Sequence, residues 1–167
     1  VQGGFLWSPK TKADGARNPF YESMRHVQPG DVIFSFCDTY IKAIGVVMRA
    51  AETSPKPDFG NVGLNWSAEG WLVEVEFRKL LKPFRPKDYI DQLRRFLPSK
   101  YSPLQTNGNG VQSIYLAEVP DRLASVLHAL IDTDDLRPVN ELSEDLDSYV
   151  AEKRREDGDE IVTQRTD

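Results

Sequence analysis

Apolar and polar positions alternate most cleanly from Trp71 to Leu80. Val73, Val75 and Phe77 fall on one side of this stretch and Glu74, Glu76 and Arg78 on the other. This period of two predicts an antiparallel strand with one face buried, and its parity puts Trp71 with Val73 on the core face. Val32–Phe36 and Ile41–Met48 are instead continuous apolar runs, as buried strands are, and the second carries Gly45 near its centre. Gln28-Pro29-Gly30-Asp31 supplies the turn into the first of them. Phe5-Leu6-Trp7-Ser8-Pro9 reads as a short strand ended by proline, and Val111–Val119 as a further strand.

Between the strands the apolar period lengthens. Asn18-Pro19 offers an N-cap side chain and a proline at the first helical position, with Phe20, Tyr21 and Met24 as the apolar face of a short helix. That helix ends before Pro29, because a residue preceding proline is pushed out of helical geometry. Pro86-Lys87-Asp88-Tyr89 opens a second helix with Ile90, Leu93, Phe96 and Leu97 on one side, and a third runs from about Pro120 to Leu130. The predicted order is β-α-β-β-β-α-β-α, an α+β fold in which helices flank a curved sheet or small barrel. Two loops interrupt it, 52–70 and 104–110, both rich in Gly and Asn, the first also in Pro and Ser. Structureless loops as long as the first are often functional.

Residues 1–135 are expected to form one domain, since 167 residues suffice for a single core. Residues 136–167 read as an acidic, partly helical linker, with Ser143 capping a charged helix up to Glu156 and the natural chain continuing past Asp167. Charge supports this division. Residues 141–167 carry ten acidic and four basic side chains, whereas the first 140 carry 16 acidic and 17 basic. A near-neutral body admits nucleic acid on a local basic face without demanding it. The lone cysteine excludes an internal disulfide and, with no apolar run of membrane length and no signal peptide at Val1-Gln2-Gly3-Gly4-Phe5, points to the cytoplasm.

Catalytic signatures are missing. His26 and His128 have no Cys, Asp or Glu at metal-ligand spacing, Cys37 has no histidine beside it in sequence, and no phosphate loop, zinc pattern or Gly-x-Ser-x-Gly occurs. No cofactor is called for. The tryptophans are the remaining chemistry. Trp7 lies where the first strand meets Ser8-Pro9, Trp66 sits in the polar stretch Asn65–Gly70, and Trp71 starts the alternating strand. Each is either packing or part of a platform on which a base stacks, worth on the order of 1–3 kcal/mol per base.

Trp7-Ser8-Pro9-Lys10, Met24-x-x-Val27-x-Pro29-Gly30-Asp31, the strand Ile33–Phe36, Ile44-Gly45-Val46 and Gly70-Trp71 resemble, in this order, the EVE domains of the PUA-like superfamily. The similarity spans roughly residues 4–131 and is greatest to the N-terminal domain of modification-dependent HNH restriction endonucleases, a subgroup that Asn107-Gly108-x-Gly110-x-Gln112-x-x-Tyr115 also fits. The resemblance implies a PUA-like twisted β-barrel with flanking helices. It implies a reader of double-stranded DNA that flips a modified cytosine, 5-methylcytosine or 5-hydroxymethylcytosine, into an aromatic pocket. Trp7, Ser8 and Trp66, with Trp71, would wall the pocket, and Ser35, Phe36 and Tyr40 would form its floor and rim. Asn107, Asn109 and Gln112 would contact DNA or the flipped base, and Lys10, Lys12, Arg17 and Lys42 the phosphates. The His/Asn/His metal site of the nuclease has no counterpart here, so this stretch is expected to read and not to cut. Dimerisation of the full-length protein is left open, as is the alternative of a YTH/PUA-like module that binds a modified nucleotide in RNA.

Overall fold

A computed structural model describes residues 4–59, 64–112 and 114–131, and the backbone of two short strands at 136–137 and 163–165. The strands are β1 (Gly4–Pro9), β2 (Val32–Cys37), β3 (Tyr40–Val47), β4 (Glu52–Pro55), β5 (Glu69–Phe84), β6 (Leu136–Arg137) and β7 (Thr163–Arg165). The helices are α1 (Pro19–Glu22), α2 (Ile90–Leu93) and α3 (Asp121–Ala129), the first two extended by 3-10 turns. The strands form one antiparallel sheet in the order β2-β3-β5-β1-β7, with β4 and β6 added along β5. The sheet curls into a half-barrel with a few short helices against it. The helix expected between Ser143 and Glu156 lies outside the described residues.

β5 organises everything else. Its 16 residues pair with β1, β3, β4 and β6, and its buried positions change phase along the way. Val73, Val75 and Phe77 are buried at a period of two, and then Leu80 and Phe84 take over. The change comes where Ala43 pairs with Lys79 but Ile41 pairs with Phe84, so β5 carries three more residues than β3 between the two contacts. Such a bulge bends the strand and re-aims its side chains. One strand thereby serves two cores. Leu6, Met24, Ile33, Ala43, Val47, Val73, Val75 and Phe77 form the first. The second, beneath α2 and α3, gathers Ile41, Leu80, Phe84, Leu93, Leu104, Leu123 and Leu127. A third cluster, Phe5, Trp7 and Phe59, occupies the other face of β1.

Local signals account for most boundaries. Asn18 Oδ1 accepts the Phe20 amide at 2.9 Å, and Pro19 follows as the first helical residue. Asp31 Oδ2 accepts the Gln28 amide at 2.8 Å, closing the Pro29-Gly30 turn, and Gly30 takes a φ of 93° that a side chain would resist. Val111–Val119, expected as a strand, does not form one among its described residues. Val111 is exposed, and three other members of the stretch turn inward separately, Tyr115 and Leu116 against the first core and Val119 against the second.

β2 and β3 are joined by Asp38 and Thr39 alone, at φ values of 50° and 66°. Two residues with positive φ make the type I′ turn that suits the strand twist and usually contains Asn or Asp followed by Gly. Thr39, a β-branched residue in left-handed geometry, is strained. Thr39→Gly is therefore expected to stabilise the domain by about 0.5–1 kcal/mol, the strain relieved exceeding the entropy a glycine adds to the unfolded chain. Urea denaturation measures it as a higher midpoint at constant slope.

Candidate functional site

Strand parity decides what the first strand can offer. Phe5 and Trp7 face one way, and Leu6 and Ser8 the other. Trp7 is fully buried against Phe59, 5.6 Å away edge-on, and against Trp66, stacked at 6.1 Å with 24° between the planes. Its indole N–H reaches the Ser54 carbonyl of β4 at 3.5 Å. These separations are those of rings in direct contact, roughly 4.5–7 Å. Trp7 and Trp66, expected to be walls of one pocket with Ser8, instead close on each other across the sheet from it. The reason is that Phe59 packs on that face, where the indole also reaches over β5 to the Ser54 carbonyl of β4.

Ser8 pairs directly with Trp71 across the β1–β5 ladder, on the face of the first core. Gly70 makes the approach close: a Cβ there would lie 2.2 Å from the Ser8 carbonyl and 2.4 Å from the Trp7 ring. Both Ser8 Oγ and Trp71 Nε1 are buried and without a hydrogen-bond partner. An unmade bond at a buried donor or acceptor costs about 1–3 kcal/mol, so two orphans on adjacent strands are unusual in a core that is otherwise apolar. Lys10 Nζ lies 4.4 Å from the Trp71 ring centroid and donates to Thr53 Oγ1 at 2.9 Å. Arg25 Cζ lies 5.3 Å from the same centroid, and its guanidinium also pairs with Glu22 at 3.1 Å.

Tyr115 completes this corner. Its hydroxyl accepts the Trp7 amide N–H at 2.9 Å, and its ring meets Tyr21 edge-on at 6.2 Å. Burial drives the phenol far above its ordinary value of 10.0; the Trp7 amide opposes this and Tyr21 adds to it. A phenol that stays protonated in the fold but ionises at about pH 10 when unfolded stabilises the native state fully below that pH. Above it the unfolded chain loses a proton that the native chain keeps, and stability falls with pH. Tyr115→Phe is expected to remove this alkaline component, about 1.4 kcal/mol per pH unit beyond pH 10, at the cost of leaving the Trp7 amide unpaired. Urea midpoints of both proteins between pH 8 and about pH 11 check it.

The remaining expected site residues lie elsewhere. Ser35 is half-buried opposite Ala43. Phe36, 39% exposed, packs on the 104–110 loop, where a Cβ on Gly110 would fall 2.7 Å from its ring. Asn107 Oδ1 accepts the Asn109 amide at 2.9 Å, and the Asn109 carbonyl accepts the Gln105 amide at 2.8 Å, so both hold the loop's own shape. Tyr40 carries the Arg85 guanidinium over its ring at 4.9 Å, with Nη2 donating to the tyrosine hydroxyl at 3.2 Å; Arg85 Nε is a third buried orphan. Lys42 pairs with Asp38 at 3.6 Å. Lys12, Arg17, Asn107, Asn109 and Gln112 are exposed. The structure thus brings Phe36 to the Asn107–Asn109 loop, but at the Phe84 end of β5. Ser8, Trp71 and Lys10 are at the other end, thirteen residues along the strand from the Ile41–Phe84 contact.

Tyr21, Arg25 and Tyr115 were not singled out as site residues from the sequence. Nothing in the spacing joins position 115 to position 7, or Arg25 to Trp71; only the curl of the sheet does. Among the described residues no three His, Cys, Asp or Glu side chains cluster to hold a metal, and no helix is long and apolar enough to cross a membrane. No family model matches the chain, and no curated protein matches it significantly.

Proposed function

We propose that this domain reads a modified cytosine, 5-methylcytosine or 5-hydroxymethylcytosine, in double-stranded DNA, accepting the base flipped out of the duplex at the Ser8–Trp71 corner. The half-barrel is then the PUA-like barrel of an EVE domain, and the chain the specificity module of a modification-dependent HNH endonuclease, without catalysis of its own. The observation that carries this reading is the pair of buried, unpartnered polar atoms, Ser8 Oγ and Trp71 Nε1, on residues that face each other across the β1–β5 ladder. An indole N–H only donates, whereas a serine hydroxyl donates or accepts. Cytosine presents acceptors at O2 and N3 and a donor at N4, a set that satisfies both orphans. Flipping costs a few kcal/mol, which hydrogen bonds made only by the bound base help to offset.

Titrating tryptophan fluorescence with duplexes that differ only in one cytosine, 5-methylcytosine or 5-hydroxymethylcytosine tests the reading. At least one modified duplex is expected to bind about tenfold more tightly than the unmodified one, or about 1.4 kcal/mol. Equal affinity for all three, or stronger binding to a single-stranded RNA carrying the modified nucleotide, overturns it.

A further inference from the structure

Two cations converge on one indole. Lys10 Nζ and the Arg25 guanidinium lie 4.4 and 5.3 Å from the centroid of Trp71, and Glu22 pairs with Arg25 at 3.1 Å. A partly exposed cation–π contact is worth only about 0.5–1 kcal/mol, and bringing two like charges to one ring reduces that further. A hydrogen bond from either cation to a phosphate is stronger, about 1.5–3 kcal/mol, and for arginine it can be bidentate. Arg25 is more than half exposed and Lys10 Nζ is held by the Thr53 hydroxyl at 2.9 Å, contacts weak enough for a phosphate to displace. The same ring carries an unpartnered buried N–H, and its cross-strand neighbour Ser8, fully buried, carries an unpartnered hydroxyl.

Resting on the base-binding reading above, we propose that Lys10 and Arg25 form a clamp for the phosphate of the nucleotide whose base occupies the Ser8–Trp71 corner. In the free protein they rest on the indole. When the base arrives they turn from the ring to the phosphate, so that one movement uncovers the aromatic face and supplies the charge that holds the backbone. Arg25 is thus a binding residue of the site, although it belongs to the turn after α1 and not to the sheet.

The probe is 5-methyl-2′-deoxycytidine 5′-monophosphate, compared with its nucleoside, by ¹H–¹⁵N NMR of the Arg25 Nε–H. The monophosphate is expected to shift that signal saturably and to bind at least about fivefold more tightly than the nucleoside, an advantage that Arg25→Gln abolishes. Far-UV circular dichroism of the variant establishes that it is folded. An Arg25 signal that the monophosphate leaves unmoved, or an advantage that survives in Arg25→Gln, overturns the clamp. The base-reading proposal is judged separately. A responding Arg25 without discrimination between modified and unmodified duplexes keeps the clamp and removes the reader. Discrimination with a silent Arg25 keeps the reader and removes the clamp.

Discussion

Replacing Trp7 with alanine is expected to destabilise the domain by about 3–5 kcal/mol, lowering its melting temperature by on the order of 10–20 °C. Trp7 is wholly buried and is the largest member of the cluster it forms with Phe5 and Phe59, with Trp66 packed against it. Truncation would open a cavity on the outer face of β1 that neither Phe59 nor Trp66 can fill without breaking its contact with the other, 6.0 Å apart edge-on. It would also remove the indole N–H that reaches Ser54. Trp7→Phe keeps most of the ring and is expected to be milder, and to leave discrimination between modified and unmodified duplexes intact. Calorimetry of the two variants, followed by duplex titration of Trp7→Phe, separates this packing role from the pocket-wall role that the resemblance implies. Loss of discrimination in a well-folded Trp7→Phe would put Trp7 back in the pocket.

The second large effect is on binding. Trp71→Ala removes the in-plane N–H that meets the base and leaves the base's acceptor unpaired in a buried site, a loss of about 1–3 kcal/mol, so affinity for a modified duplex is expected to fall roughly 5- to 150-fold. Trp71 also packs against the first core, so the alanine variant alone mixes stability with binding. Trp71→Phe separates the two by keeping a ring while removing the N–H. It is expected to lose about 1 kcal/mol of affinity, roughly fivefold, with little change in melting temperature. Fluorescence anisotropy of labelled duplexes measures both, because it does not depend on the tryptophans themselves.

The sheet was largely legible in the sequence because its strands announce themselves locally. The alternation of Val73, Val75 and Phe77, the apolar runs after Asp31 and Tyr40, and the Asn18-Pro19 cap each depend on neighbours a few residues away. β4 was not legible, since Glu52–Pro55 is short and mostly exposed and is a strand only because the start of β5 offers it an edge. Nor was the failure of Val111–Val119 to pair, because its side chains are claimed one by one by two different cores. The site was legible in part. Parity placed Trp71 on the core face from sequence, whereas Trp7 and Ser8, neighbours on one strand and so on opposite faces, were expected in one pocket. That Trp7 closes on Phe59 and Trp66, and that Tyr115 reaches the Trp7 amide, depend on contacts at long range. Pairing of β1 with the start of β5 and of the Tyr40 end of β3 with its finish sets Phe36, Tyr40, Asn107 and Asn109 far from Ser8, a separation that no local pattern encodes.

The central claim is that the orphaned Trp71 N–H exists to meet a flipped, modified base. The indole Nε1–H signal of Trp71 in a ¹H–¹⁵N spectrum follows that atom itself. On adding a duplex with a single 5-methylcytosine or 5-hydroxymethylcytosine, the signal is expected to move downfield as a hydrogen bond forms, and the unmodified duplex should leave it in place. A Trp71 signal that stays put while the modified duplex binds, or that moves equally with either duplex, would contradict the account.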